Sequence, residues 1–166
     1  MDIWKTLLAI ALITASHAGS SLAASAGVDS SASRLIGSWE VDVARLPIPP
    51  EARPKSVTIA FTAVDKSQWK MRVDIVDGGG HEIDATGTYT LDGKQVAVTG
   101  SPEADAGAVK MPTLDVLILA LSKAGVPAST RIYAVAPGGK NMVETAVYYG
   151  PDGKPIMRTN YFSRAP

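Results

Sequence analysis

Ala108-Val109-Lys110-Met111-Pro112-Thr113-Leu114-Asp115-Val116-Leu117-Ile118-Leu119-Ala120-Leu121 is the stretch whose conformation decides the fold. It has two self-consistent readings. As a helix from Thr113 to Lys123, Thr113 is the cap and Leu114, Leu117, Ile118 and Leu121 form one stripe. Gly125 and Pro127 then stop it. As two strands, Ala108–Met111 and Leu114–Leu121 join at Pro112-Thr113. An apolar run of this length fits either period, so periodicity alone leaves the choice open.

The flanks are clearer. Asp77-Gly78, Asp92-Gly93, Gly138-Gly139 and Asp152-Gly153 are residue pairs that accept the positive φ of tight hairpins, and each separates strand-like runs. In Gly37–Val43, Trp39, Val41 and Val43 share one face while Ser38, Glu40 and Asp42 share the other. Ser56–Val64 places Val57, Ile59, Phe61 and Ala63 together. Gln68–Val76 places Trp69, Met71, Val73 and Ile75 inward and Lys70, Arg72 and Asp74 outward. Glu82–Leu91 continues with Ile83, Ala85, Tyr89 and Leu91, and Gly87 reads as a bulge or bend. Lys94–Val98, Ser129–Ala136, Asn141–Tyr149 and Ile156–Ser163 are further strands. The prolines of Pro47–Pro54 cannot donate to a ladder, so that segment is an extended loop.

Counted with two strands in the undecided stretch, the chain has about ten strands, and an even number lets an antiparallel meander close and remove its edges. The connections then sort by parity. Residues 44–55, 77–81, 99–105, 122–127 and 150–155 gather at one end. Tight turns near Asp65, Asp92, Pro112 and Gly138 gather at the other. Longer loops on one rim and short turns on the opposite one predict an open mouth and a closed base.

Residues 1–23 have the form of a secretory signal peptide. Lys5 supplies the positive start, Leu7–Ala15 is an apolar run too short to span a bilayer, and Ser21-Leu22-Ala23 offers small residues for cleavage. The reading is a periplasmic or secreted protein with no integral membrane segment once the leader is removed. Residues 24–34 are small and polar and read as a flexible linker, and 35–166 as one barrel domain. Sixteen basic residues balance sixteen acidic ones, which leaves no electrostatic footprint for nucleic acid. There is no cysteine, hence no disulfide framework and no thiolate metal site.

With this layout, the chain resembles the lipocalin-like group of small exported bacterial β-barrels. The blocks that carry the resemblance are Gly37-Ser38-Trp39, Pro54-Lys55-Ser56, Val98-Thr99-Gly100-Ser101-Pro102-Glu103-Ala104-Asp105 and Gly139-Lys140-Asn141-Met142. The resemblance implies an all-β, up-and-down antiparallel barrel of eight to ten strands. It also implies a strand at Leu114–Leu121 and a Trp39 that packs across the barrel floor. Arg158 or Arg164 could stack on that indole. The resemblance implies no activity.

No catalytic constellation emerges. His81, the only histidine after the leader, sits near Asp77, Glu82 and Asp84 and reads as an exposed turn residue, with no nucleophile elbow for it to serve. Glu103 and Asp105 share a loop but lack the further oxygens that a hard cation wants. Gly78-Gly79-Gly80 lacks the Lys-Ser/Thr ending of a phosphate loop. No enzyme, cofactor or metal is therefore expected. The expected lumen set is Phe61, Trp69, Met71, Val73, Ile83, Ala85, Tyr89, Ile132, Ala134, Val143, Val147 and Tyr149. Within it Phe61, Trp69, Met71, Val73, Ile83, Tyr89, Val147 and Tyr149 are the expected ligand-binding residues. Most of the wall is small or β-branched, and a barrel wider than eight strands is poorly filled by such side chains. A small hydrophobic molecule, bound without catalysis and entering past Pro47–Pro54, is the leading functional expectation. The rival is an envelope accessory module with a packed core. It would use Leu117, Leu119 and Leu121 as an apolar outer row and as a homodimer contact.

Overall fold

The computed structural model describes residues 29–166, so the expected leader and residues 24–28 of the expected linker lie outside the described residues. Among the described residues ten strands form one closed barrel: β1 Gly37–Val41, β2 Ser56–Ala63, β3 Gln68–Val76, β4 Glu82–Thr90, β5 Asp92–Thr99, β6 Ala106–Thr113, β7 Val116–Lys123, β8 Val126–Val135, β9 Asn141–Tyr149 and β10 Pro155–Arg164. Every strand pairs antiparallel with its chain neighbour, and β1 pairs with β10 through Trp39–Arg164 and Val41–Phe162 to close the ring. No described helix is long and apolar enough to cross a membrane.

The undecided stretch is a hairpin. Its turn is Leu114-Asp115, two residues beyond the expected Pro112-Thr113. Pro112 lies within β6, where the register with β7 shifts between Lys110 and Thr113. An irregular position of that kind tolerates a residue that cannot donate to the ladder. Leu117 and Leu119 are each 2% exposed and pack in the core, and Leu121 packs against them. This overturns the expected outer row: Leu117, Leu119 and Leu121 face the lumen and offer no surface for a homodimer. Tertiary burial of one face, not local propensity, makes this apolar run a strand.

The alternation read for β2, β3 and β4 matches the burial seen, with Ile59, Phe61, Trp69, Met71 and Tyr89 buried. On β8 and β9 the parity is opposite to the expectation. Tyr133, Val135, Met142, Glu144 and Ala146 are buried, so Ile132, Ala134, Val143, Val147 and Tyr149 belong to the other face. A one-residue shift exchanges the two faces of a strand completely. The expectation fails because charged residues ordinarily mark the outside of a strand, whereas Arg131 and Glu144 turn inward and pair with each other.

Gly87 is not a bulge. The β3–β4 register runs through it unbroken. A Cβ there would come within 2.7 Å of the Tyr89 ring, and one at Gly107 within 3.1 Å of the same ring. The two glycines make the room in which that ring lies.

The base is sealed by residues expected to be a flexible linker. Asp29 caps a short 3-10 turn, Ser30–Ala32, and Ser30 is buried. The Ser30 hydroxyl donates to the Lys66 carbonyl at 2.8 Å and accepts from Trp69 Nε1 at 3.0 Å. Ser33 donates to the Leu114 carbonyl, and Arg34 pairs with Asp115. Leu35 is fully buried, and its carbonyl accepts from Trp39 Nε1 at 2.8 Å. Of the two arginines considered, Arg164 is the one over Trp39, 4.2 Å from the ring centroid. It donates to the carbonyls of Gly139, Ile36 and Arg34, which ties the plug to the last strand.

At the opposite rim, β7 and β8 meet in the turn Ala124-Gly125, where φ is 50° and 77°. Alanine is strained in this left-handed region. Ala124→Gly is expected to raise stability by about 1 kcal/mol, seen as an upward shift of about 3 °C in the thermal midpoint. An unchanged or lowered midpoint would count against strain at this turn.

Candidate functional site: a lumen in two chambers

Because the inner faces of β2, β3 and β4 carry Val, Ile, Met and Ala, they leave space near the mouth. An apolar chamber of about 220 Å³ lies there. Its walls include Val57, Ile59, Met71, Val73, Ile75, Ile83, Ala85, Tyr89, Leu119, Leu121 and Phe162. Leu46, from the loop after β1, and Ser101, Pro102 and Glu103, from the loop after β5, also line it.

Of the expected ligand-binding residues, Met71, Val73, Ile83 and Tyr89 line this chamber. Phe61 and Trp69 do not; they belong to the solid core, with the Phe61 ring 6.2 Å from Trp69 and 5.5 Å edge-on from Tyr133. Val147 lines neither chamber. Tyr149 is 67% exposed and reaches only the rim of the second chamber. Both of these last corrections follow from the reversed parity of β9.

A polar partition divides the lumen. Arg131 Nη1 donates to Glu144 Oε1 at 2.9 Å, and Asn160 Nδ2 donates to Glu144 Oε2 at 2.6 Å. Arg131 Nη2 donates to Glu103 Oε2 at 2.5 Å, so the β5–β6 loop is fastened to the lumen wall. Glu144 is 1% exposed, so both of its oxygens depend on these partners. Burial opposes the Arg131 charge, but Tyr133, Glu144 and Glu103 around it outweigh that effect, and its pKa is raised.

Beyond the partition lies a second, more polar chamber of about 520 Å³. Leu46, Pro47 and Ile48 roof it, so the proline-rich loop does stand at the mouth. Ser129, Arg131, Ala146, Tyr148, Arg158 and Asn160 are among its walls. The Arg158 guanidinium lies over the Tyr148 ring, 5.2 Å from its centroid. Leu46, Glu103, Arg131 and Asn160 line both chambers and mark where they meet.

The sequence reading missed Arg131, Glu144, Tyr148, Arg158 and Asn160. One signal was present. Arg131 and Glu144 are opposite charges, each interrupting an apolar run, on strands joined by a short turn. Inward placement lets them neutralise each other.

The other candidate groups are on the surface. His81 is exposed in the turn after β3, with its Nδ1 3.0 Å from Asp77 Oδ2. Asp105 accepts from the Ala124 amide at 2.8 Å, and Glu103 faces Arg131, so the two carboxylates do not converge on a cation. Among the described residues no three metal-ligating side chains come together.

Burial pushes the Tyr89 hydroxyl up to about 12. Burial, reinforced by Glu144, holds Tyr133 well above the usual tyrosine range. In the unfolded chain both ionise near pH 10. Their contribution to stability is therefore complete below pH 10 and is lost as pH rises towards 12 and above. Tyr133→Phe and Tyr89→Phe variants should each show a shallower fall in thermal midpoint across that alkaline window. Parallel falls in variants and parent would refute the linkage.

No family model matches this sequence, and no curated protein matches it. Among solved structures, a point mutant of the fluorescent protein UnaG matches with a TM-score of 0.53 at 17% identity, covering 80% of this chain and 97% of that one. Wild-type UnaG matches with a TM-score of 0.50, also at 17% identity, covering 78% of this chain and 96% of that one. At such identity the likeness speaks to architecture alone. Among the described residues the chain is a closed ten-strand antiparallel β-barrel, and the likeness to these structures is one of fold.

Proposed function

We propose that this protein binds and carries a small, largely hydrophobic molecule in its barrel lumen, without catalysis, in the bacterial periplasm or outside the cell. The observation that carries this reading is the apolar chamber, walled by Val73, Ile75, Ile83 and Phe162 and roofed by two loops. Ligand sites are typically concave, mostly apolar and given direction by a few polar groups. Arg131, Glu144 and Glu103 are tied to one another, which suits a scaffolding role better than proton transfer. The signal-like residues 1–23 support export.

Titration with the neutral fluorophore N-phenyl-1-naphthylamine tests the reading. The parent protein should enhance its fluorescence saturably. Ala85→Phe, which places a ring in the apolar chamber, should weaken binding by about tenfold or more while leaving the thermal midpoint within a few degrees. Absence of saturable binding, or an unchanged affinity in the filled variant, would sink the proposal. Export is checked separately by fractionating cells and sequencing the mature N-terminus. An uncleaved cytoplasmic protein would refute it.

A further inference from the structure

We propose that the Tyr89 hydroxyl is the hydrogen-bond donor of the apolar chamber and selects a compact apolar molecule bearing a neutral carbonyl, such as a ketone or an ester. This rests on the lumen-binding reading above and names the class of molecule.

The wall holds a donor that lacks an acceptor. From β2 to β5 the apolar chamber is lined by Val, Ile, Met, Ala and Gly, with two exceptions, Thr86 and Tyr89. The Thr86 hydroxyl donates to the Met71 carbonyl at 3.2 Å. On the rest of the lining, Arg131 and Asn160 donate to Glu144, Tyr133 interacts with Glu144, and Ser101 Oγ accepts from the amides of Glu103 and Ala104. Tyr89 is 3% exposed, and its hydroxyl meets no protein partner among the described residues. Ser129 Oγ, Arg131 Nε and Tyr148 OH are unpartnered and sealed. The Tyr89 oxygen is not one of those sealed atoms, and its residue lines the chamber. A buried hydroxyl beside open space calls for a partner in that space.

The position of this oxygen is cleared by the sequence. A Cβ on Gly87 would lie 2.7 Å from it, and one on Gly107 would lie 3.1 Å from it. Glycine weakens a strand interior. Two glycines on separate strands converge on one phenol oxygen, so the oxygen itself is what they accommodate.

The chemistry of the partner follows. Burial pushes the Tyr89 hydroxyl up to about 12, so its proton is present at neutral pH and can be donated. An ammonium group has no lone pair to receive it. A carboxylate would add a third negative charge beside Glu103 and Glu144, where Arg131 is the one guanidinium on the lining. An alcohol can accept, but it brings a hydrogen of its own. Two hydroxyls facing each other in an apolar wall use only one of their two hydrogens, and the other is left unbonded at a cost. A carbonyl accepts and brings no hydrogen.

Three molecules with one skeleton test this by displacement of the bound naphthylamine: 4-phenylbutan-2-one, 4-phenylbutan-2-ol and 2-methyl-4-phenylbut-1-ene. The ketone and the alcohol are similarly hydrophobic, and the ketone is expected to bind about fivefold more tightly. Tyr89→Phe keeps the ring and removes only the hydroxyl. It should weaken the ketone about fivefold and change the alkene by less than about twofold. The carbonyl stretch of the bound ketone should lie at lower frequency in the parent than in the variant. Ketone affinity that the variant leaves unchanged, as when water alone satisfies the hydroxyl, overturns the proposal. So does an equal loss for ketone and alkene, a preference for the alcohol, or no displacement by the ketone. In those cases saturable, Ala85→Phe-sensitive binding of the naphthylamine leaves the broader hydrophobic-binding reading standing. Failure of that probe as well would refute both.

Discussion

Arg131→Met is expected to destabilise the barrel by about 3–5 kcal/mol, enough to lower its thermal midpoint by more than about 10 °C. The loss comes from what stays behind. Glu144 is 1% exposed and holds its charge against Arg131 on one oxygen and Asn160 on the other. Removing the guanidinium leaves a buried carboxylate without its counter-charge. The second contact, to Glu103, contributes little, because the Glu103 side chain is 59% exposed and water competes for it. The double variant Arg131→Met, Glu144→Met should recover most of the loss, since a buried ion pair replaced by apolar groups of similar volume is often nearly neutral. Urea unfolding of the parent, the single and the double variant forms the check. A single variant within about 1 kcal/mol of the parent would mean that Glu144 is not enclosed as described.

Gly100→Ala should be the most damaging small substitution in the roof. Gly100 has φ of 74°, and a Cβ built on it would lie 1.9 Å from the Asp84 carbonyl oxygen. That oxygen belongs to the backbone of β4 and cannot swing aside as a flexible side chain could. The left-handed conformation costs about 1–2 kcal/mol and the steric conflict about 1–3 more, so a loss of roughly 2–5 kcal/mol is expected. The effect is also positional. Gly100 begins the loop that carries Glu103 to Arg131, so displacing it should loosen the partition and weaken binding of the neutral probe. Gly125→Ala is the control. It has φ of 77° but nothing within 4 Å of the added Cβ, so only the backbone cost of about 1–2 kcal/mol applies. Equal losses in the two variants would show that crowding against β4 is unimportant.

The two chambers differ in how visible they are beforehand. Met71, Val73, Ile83 and Tyr89 can be placed on the apolar wall because β3 and β4 alternate cleanly between apolar and charged or polar residues. The polar chamber cannot. Its strand side chains come from β8, β9 and β10, where Arg131 and Asn160, like their partner Glu144, look like solvent-facing positions. Reading them as exposed turns β9 over and puts Val147 and Tyr149 inside. The same bias, that a polar residue signals solvent, makes Ser30 and Ser33 look like linker residues. They are buried hydrogen-bonding parts of the base.

The linear chain by itself determined the class of fold. Period-two alternation, Gly-containing turns at regular intervals and an even strand number leave few options other than a closed antiparallel meander. These signals are local, since each strand needs only its own pattern and each turn only its own φ. The inward side of β8 and β9, the role of residues 29–36 and the strand state of Val116–Lys123 were decided only by tertiary structure. In each of these the deciding partner lies outside the segment itself: Glu144 for Arg131, Lys66 and Trp69 for Ser30, and the enclosed lumen for Leu117 and Leu119. A charge can be buried when its counter-charge is buried with it, and an apolar run becomes a strand when a barrel wall needs one. Neither condition is written in the segment concerned.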